Sequence, residues 1–153
     1  MRKYIDAIGK IKVINDDISI VLDPPYRVGL KGLEEFSHTN VLWWCNGCDA
    51  PLSRQKMITS APYSEEALGV FSTRTPQRPN PIALTIVQII DIDLDKGILI
   101  ISWIDANNGS PVIDLKPYTP SLDRVENPVT PSYLSHWPKS LEASSNFDWS
   151  KVF

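Results

Sequence analysis

The 153-residue chain is poor in the groups that most chemistry relies on: two cysteines, two histidines, two methionines and seven glycines. Two cysteines cannot build the disulfide framework of a small secreted scaffold. No apolar run approaches the ~20 residues a membrane-spanning helix needs. The opening Met1-Arg2-Lys3-Tyr4-Ile5-Asp6 carries an acid where a signal peptide is apolar. These absences predict a cytoplasmic protein, no membrane partner, and Cys45 and Cys48 as reduced thiols. There is no G-x-x-x-x-G-K-[ST] phosphate loop, no G-x-G-x-x-G fingerprint and no G-x-S-x-G elbow. Any nucleotide-like ligand therefore binds by another mode than a Rossmann crevice or a phosphate loop. Basic excess is absent too. The net charge is -3, so a polyanionic partner would need a local cationic patch.

Apolar residues make up 42% of the chain and charged residues 22%, an ordinary globular balance that fits one domain over 1–153. Most periodic segments read as strands. Tyr4 to Val13 is one, Asn15-Asp16-Asp17 is a turn, and Ile18 to Leu22 is the next strand. Leu33 to Phe36 reads as a helical turn, Val41 to Trp44 and Ser53 to Thr59 as strands, and Ser64 to Ala67 as turn or short helix. Ile82 to Leu94, the turn Asp95-Lys96-Gly97 and Ile98 to Ile104 form the clearest hairpin. Its arms are so continuously apolar that cover on both faces is expected. From Asp105 the chain is rich in Pro, Asn and Ser, and 127–153 is expected to wrap the sheet, anchored by Trp103, Trp137 and Trp149. The fold class is mostly β: a single antiparallel barrel or closed sandwich with minor helix.

The most informative segment is Gly69 to Pro81, which holds Arg74, Arg78, Asn80 and three prolines but no acid. Each proline restrains itself and the residue before it. The segment is a stiff mould, and ordering its side chains on binding costs little entropy. Its arginines suit a carboxylate or phosphate, and Asn80 suits a base edge. A second constellation is Asn108 to Tyr118. Asp114 and Lys116 alternate, so they share a strand face. They read either as ligand groups with Tyr118 or as a solvated ion pair of little energetic weight. A third is Cys45-Asn46-Gly47-Cys48, compatible with a redox pair, half a zinc site or plain thiols; paired histidine spacing is missing, so no metal is expected.

Three blocks give the chain a family resemblance: Leu33 to His38, Gly69 to Ala83, and Asp105 to Pro120. Tyr4 to Gly9 adds to them, and the likeness spans Tyr4 to Glu126. The chain resembles the tRNA-methyltransferase O family, also described as TsaA-like or VirR/YaeB-like. The resemblance implies an S-adenosylmethionine-binding β-barrel working as a homodimer. It implies N6-methylation of a threonylcarbamoyl-modified adenosine beside the tRNA anticodon. By position it implies cofactor contacts at Asn46, Gly47, Arg74, Leu84, Ser102, Trp103, Ile104 and Asp105. It places Arg78 and Asn80 at the substrate, and Asp114, Lys116 and Tyr118 as candidates for proton removal. The chain departs from the pattern at Asn108, where the family carries an acid, at Ala83, where it carries Gly, and in the Cys45–Cys48 loop. A non-catalytic module binding the cofactor or a nucleoside, or a methyltransferase acting on a different small or RNA substrate, is the alternative reading of the same residues.

Overall fold

The computed structural model describes residues 1–153. Six antiparallel strands close into a barrel in the order β1-β2-β7-β6-β3-β8. They are β1 (Gly9–Ile14), β2 (Asp17–Leu22), β3 (His38–Trp44), β6 (Ile82–Asp93), β7 (Ile98–Ile101) and β8 (Pro111–Pro117). Two short strands, β4 (Ile58–Thr59) and β5 (Leu68–Gly69), pair outside the barrel. Alternation along the strands fills the interior. Ile11, Ile20, Val41, Val87, Leu99 and Val112 have essentially no exposed surface, and a barrel this small is filled by side chains rather than open. Residues Pro24–Leu30 and Leu33–Glu35 form 3-10 turns that drop Leu30 and Leu33 into the same core.

Local chemistry explains the turns. Asn15 sits at φ 54° between β1 and β2, a conformation that Asn tolerates better than most residues. Gly97 takes φ 68° between β6 and β7, as the tight hairpin requires. Closure rests on a narrow seam in which only Gly9 pairs with Val112 and Lys10 with Pro111.

The structure corrects several expectations. Residues 4–8 are not strand, and β1 begins at Gly9. Ser53 to Thr59 is not one strand: Pro51–Arg54 forms α1, because a proline at the first helical position starts a helix readily. Ser64 to Ala67 holds a bend at Glu65 and Glu66 and no helix, the turn falling just before it at Pro62 and Tyr63. The β6–β7 hairpin is covered on one face only. A register shift between Ile89 and Asp91 marks a bulge, and Ile90 is 58% exposed with Ile100 at 41%; a bulge redirects the side chain it carries.

The aromatic residues of the tail gather on Tyr63, in the segment between β4 and β5. After α2 (Pro120–Asp123) and a 3-10 turn at Ser132–Leu134 comes α3 (Leu141–Ser145), capped by Ser140 Oγ accepting from the Ala143 N–H at 3.1 Å. Trp137 and Trp149 meet edge to face at 5.1 Å, with Phe147, Phe153, Tyr133 and Tyr63 around them. Trp103 is no anchor; it stands 62% exposed on the barrel rim. No helix is long and apolar enough to cross a membrane.

Candidate functional site

One end of the barrel is marked by the close of β3 and β7 and the start of β6 and β8. There the loops gather around a cleft of about 930 Å³. Cys45, Asn46, Gly47 and Cys48 leave β3; Arg74, Thr75 and Arg78 come from the proline-rich loop; Trp103, Asp105 and Ser110 come from the connection into β8. Leu84 and Ile86 of β6 carry the cleft onto the barrel's outer face, and Leu141, Ser144 and Trp149 of the tail stand against them.

The stiff loop is held by its own arginine. Arg78 donates from Nε to the Thr75 carbonyl at 2.8 Å and from Nη2 to the carbonyls of Val70 and Thr73. Its fork is thus engaged in shaping the loop, although its charge still faces the cleft. Arg74 donates one N–H to the Leu84 carbonyl at 3.1 Å and is otherwise exposed. Asn80 is turned away from the cleft, its Oδ1 3.4 Å from Arg54 Nη2. Arg54 also reaches the Pro79 carbonyl at 2.8 Å and lies 5.6 Å over the Trp44 ring. Lys56 donates to Gln77 at 2.7 Å. These two cations latch the loop from outside.

Residues around the rim join the loops. Ser110 Oγ donates to Asn46 Oδ1 at 3.5 Å, linking the β3 exit to the β8 entry. Asn108, where the family carries an acid, accepts from the Val13 N–H at 2.9 Å; its work here is to fasten β1. Trp43 points inward and donates to Thr85 Oγ1 at 3.1 Å.

Cys45 and Cys48 are free thiols. Burial pushes the Cys45 thiol up to about 11, helped by Cys48 and Asp105 and opposed by Arg78. Its thiolate is therefore scarce at neutral pH and grows tenfold with each pH unit up to that value. Iodoacetamide at pH 8 is expected to label Cys48 and spare Cys45, as read by peptide mass spectrometry. Equal labelling of both would contradict this account. No group of three or more His, Cys, Asp or Glu gathers to hold a metal.

Of the positions implied for the cofactor, Asn46, Gly47, Arg74, Leu84, Trp103 and Asp105 line the cleft. Ser102 and Ile104 do not. Ser102 Oγ accepts from the Gln88 N–H at 3.2 Å, and Ile104 is core. Asp114, Lys116 and Tyr118 do not line the cleft either; Asp114 and Lys116 lie on β8 one strand beyond β3, level with Leu84 and Ile86 of β6. Asp114 and Lys116 form an exposed ion pair at 2.8 Å, and the Asp114 carboxylate holds the Lys116 ammonium above its ordinary range. Tyr118 meets the His38 ring edge to face at 6.3 Å. Asp114 also borders a second, smaller cleft of about 420 Å³ with Tyr26, Leu33 and Phe36. Sequence reasoning named Trp149 only as a packing anchor and left Lys139, Leu141 and Ser144 out of the site, because nothing periodic marks them. It missed Trp43 and Ser110 too, although inward alternation along β3 marks Trp43.

Residues 11–124 match the family model described as the tRNA-methyltransferase O N-terminal domain. An S-adenosyl-L-methionine-binding protein of Archaeoglobus fulgidus is 37% identical over 123 residues, 80% of this chain and 78% of that protein. The human tRNA (adenine(37)-N6)-methyltransferase is 36% identical over 102 residues, 67% of this chain but 22% of the enzyme. A crystal structure of TrmO from Pseudomonas aeruginosa superposes with a TM-score of 0.67 at 29% identity, covering 86% of this chain and 62% of the solved one. The chain thus spans less than two thirds of those two enzymes. The matched residues take in nearly all of the barrel and every loop of its rim, and on that extent the chain belongs to the tRNA-methyltransferase O N-terminal domain family.

Proposed function

We propose that this protein is an S-adenosylmethionine-dependent tRNA methyltransferase, and that its reaction is N6-methylation of threonylcarbamoyladenosine beside the anticodon. The observation that carries the reading is the convergence of Arg74, Asp105, Asn46 and Trp103 on one cleft. These groups suit an amino-acid-bearing sulfonium nucleoside. The Asp105 carboxylate can receive an ammonium, and the N–H groups of Arg74 not bound to Leu84 can hold a carboxylate. The half-open ring of Trp103 offers a face to a cation. A cleft of about 930 Å³ lies at the upper end of the range for small-ligand sites.

When bound, the cofactor supplies a methyl group activated by a positive sulfur. The chain's part is to align an acceptor and remove its proton, which supplies rate through orientation rather than through a metal or a covalent step. An amide-like exocyclic nitrogen is a poor nucleophile, and a proton acceptor beside it helps. Asp114 and Tyr118 are the proposed groups for this, with Lys116, held as the ammonium by Asp114, proposed to orient them. Because they do not line the cleft of their own chain, we propose a homodimer in which a second copy brings them to it. The exposed apolar faces of Leu84, Ile90 and Ile100 favour such an association. The proposed setting is the cytoplasm, where tRNA is met.

Titration calorimetry with S-adenosylmethionine tests the cofactor step. Saturable binding is expected, weakened about 10-fold or more by Arg74→Ala, the scale of a lost charged hydrogen bond. A wild-type chain giving neither heat nor thermal shift would end the reading. Mass spectrometry of nucleosides from tRNA treated with protein and cofactor then identifies the product, and light scattering of the same sample gives the oligomeric state. Binding without any methylated nucleoside would favour the non-catalytic module, a reading supported by the absence of Asp114, Lys116 and Tyr118 from the cleft lining.

A further inference from the structure

We infer that the C-terminal segment is the acceptor wall of the cleft, with Trp149 stacking a nucleobase of the RNA and Lys139 taking a neighbouring phosphate. The inference rests on the methyltransferase reading and adds where the second reactant lies.

A methyl-transfer site must hold two molecules face to face. The groups suited to the cofactor, Asn46, Arg74, Trp103 and Asp105, all belong to the barrel and its rim loops. The opposing wall is built by Lys139, Leu141, Ser144 and Trp149. That wall lies outside the matched family span, which stops at residue 124. A volume of about 930 Å³ leaves room for more than one small ligand.

The wall's chemistry fits a base and its phosphate. The Trp149 indole is fixed before any ligand arrives. Its Nε1 donates to the Ser144 carbonyl at 3.1 Å, and Trp137 at 5.1 Å and Phe147 at 4.8 Å pack against it. Part of it stays exposed toward the cleft. A rigid, partly exposed aromatic side chain at a cleft is the kind of surface on which unstacked bases of RNA stack. Beside it, Lys139 belongs to none of the three ion pairs, which use Lys96, Lys116 and Lys151. Its Nζ is held only by the Ser135 carbonyl at 3.2 Å. On a chain of net charge -3, an uncompensated cation at the cleft mouth is the kind of local patch a polyanion needs.

The test uses the full chain, total tRNA and S-adenosylmethionine, with tRNA and cofactor affinities measured separately. Trp149→Ala is expected to weaken tRNA binding about tenfold or more while leaving cofactor affinity within about threefold. Trp149→Phe, which keeps an aromatic face, should stay close to wild type. Lys139→Gln should lower the slope of log affinity against log salt by about 0.7–0.9, one phosphate contact. Unchanged tRNA affinity in Trp149→Ala, or equal losses for tRNA and cofactor, would overturn the inference. If Trp149→Ala loosens the tail, Lys139→Gln decides: an unchanged salt slope overturns it. A wild-type chain that bound no cofactor would instead remove the methyltransferase reading, and this inference with it.

Discussion

Replacing Arg78 by alanine is expected to destabilise the protein by about 3–5 kcal/mol and to abolish ligand binding at the cleft. The size follows from what the guanidinium holds. It donates to the carbonyls of Thr75, Val70 and Thr73, and a hydrogen bond from a charged donor contributes about 1.5–3 kcal/mol. The loop cannot relax to satisfy those carbonyls another way, because Pro76, Pro79 and Pro81 fix its path and Pro81 is fully buried. Arg78→Lys should rescue little, since one ammonium cannot reproduce a planar fork aimed at three oxygens. Urea denaturation measures the loss. A drop below about 1 kcal/mol would show that the loop keeps its shape without the arginine.

The second large effect is expected at Gly9. A Cβ there would sit 2.2 Å from the Val21 carbonyl oxygen and 2.8 Å from the Leu22 Cα. Both are backbone atoms of the paired strand, so no side chain can swing aside. Gly9 also stands at the seam where β1 meets β8, which has only two residue pairs. Gly9→Ala should therefore push β1 away from β2, beside the narrow β1–β8 seam, at a cost of about 3 kcal/mol or more, as overpacking against fixed atoms does. It should also free two strand edges and promote aggregation. Thermal unfolding with light scattering reads both results. Gly29→Ala is the control, because nothing lies within 4 Å of its Cβ. A melting temperature for Gly9→Ala equal to that of Gly29→Ala would refute the argument.

The barrel was legible where period and turn chemistry agreed. The Asn15 turn, strand β2 and the β6–β7 hairpin all follow from alternation interrupted by residues that accept unusual φ. Where the signals conflicted, the reading failed. Ser53 to Thr59 has strand-like residues, but Pro51 starts a helix before them. The apolar run through Ile90 and Ile100 promised burial on both faces, yet continuous hydrophobicity cannot say which face a bulge will expose. At the site, Asn46, Arg74, Trp103 and Asp105 came from the family resemblance by position alone, and the fold brings these four to one cleft. Arg78 was legible as important but not in its role, since a motif gives a residue type and not its partners. Asp114 and Lys116 show the same limit. Their shared face was evident, but whether that face meets a ligand depends on strand order, which pairs Asp114 with Leu42 and turns it to the outside.

The protonated thiol of Cys45 has a consequence for the durability of the proposed catalyst. A thiolate attacks an activated methyl group far more readily than an amide nitrogen does. A wall that presented one would alkylate itself in the first turnovers and end as a thioether. Burial that holds Cys45 as the thiol up to about pH 11 keeps this competing nucleophile silent at neutral pH. The rim can thus carry the Cys45 sulfur beside a methyl donor without that sulfur becoming its victim.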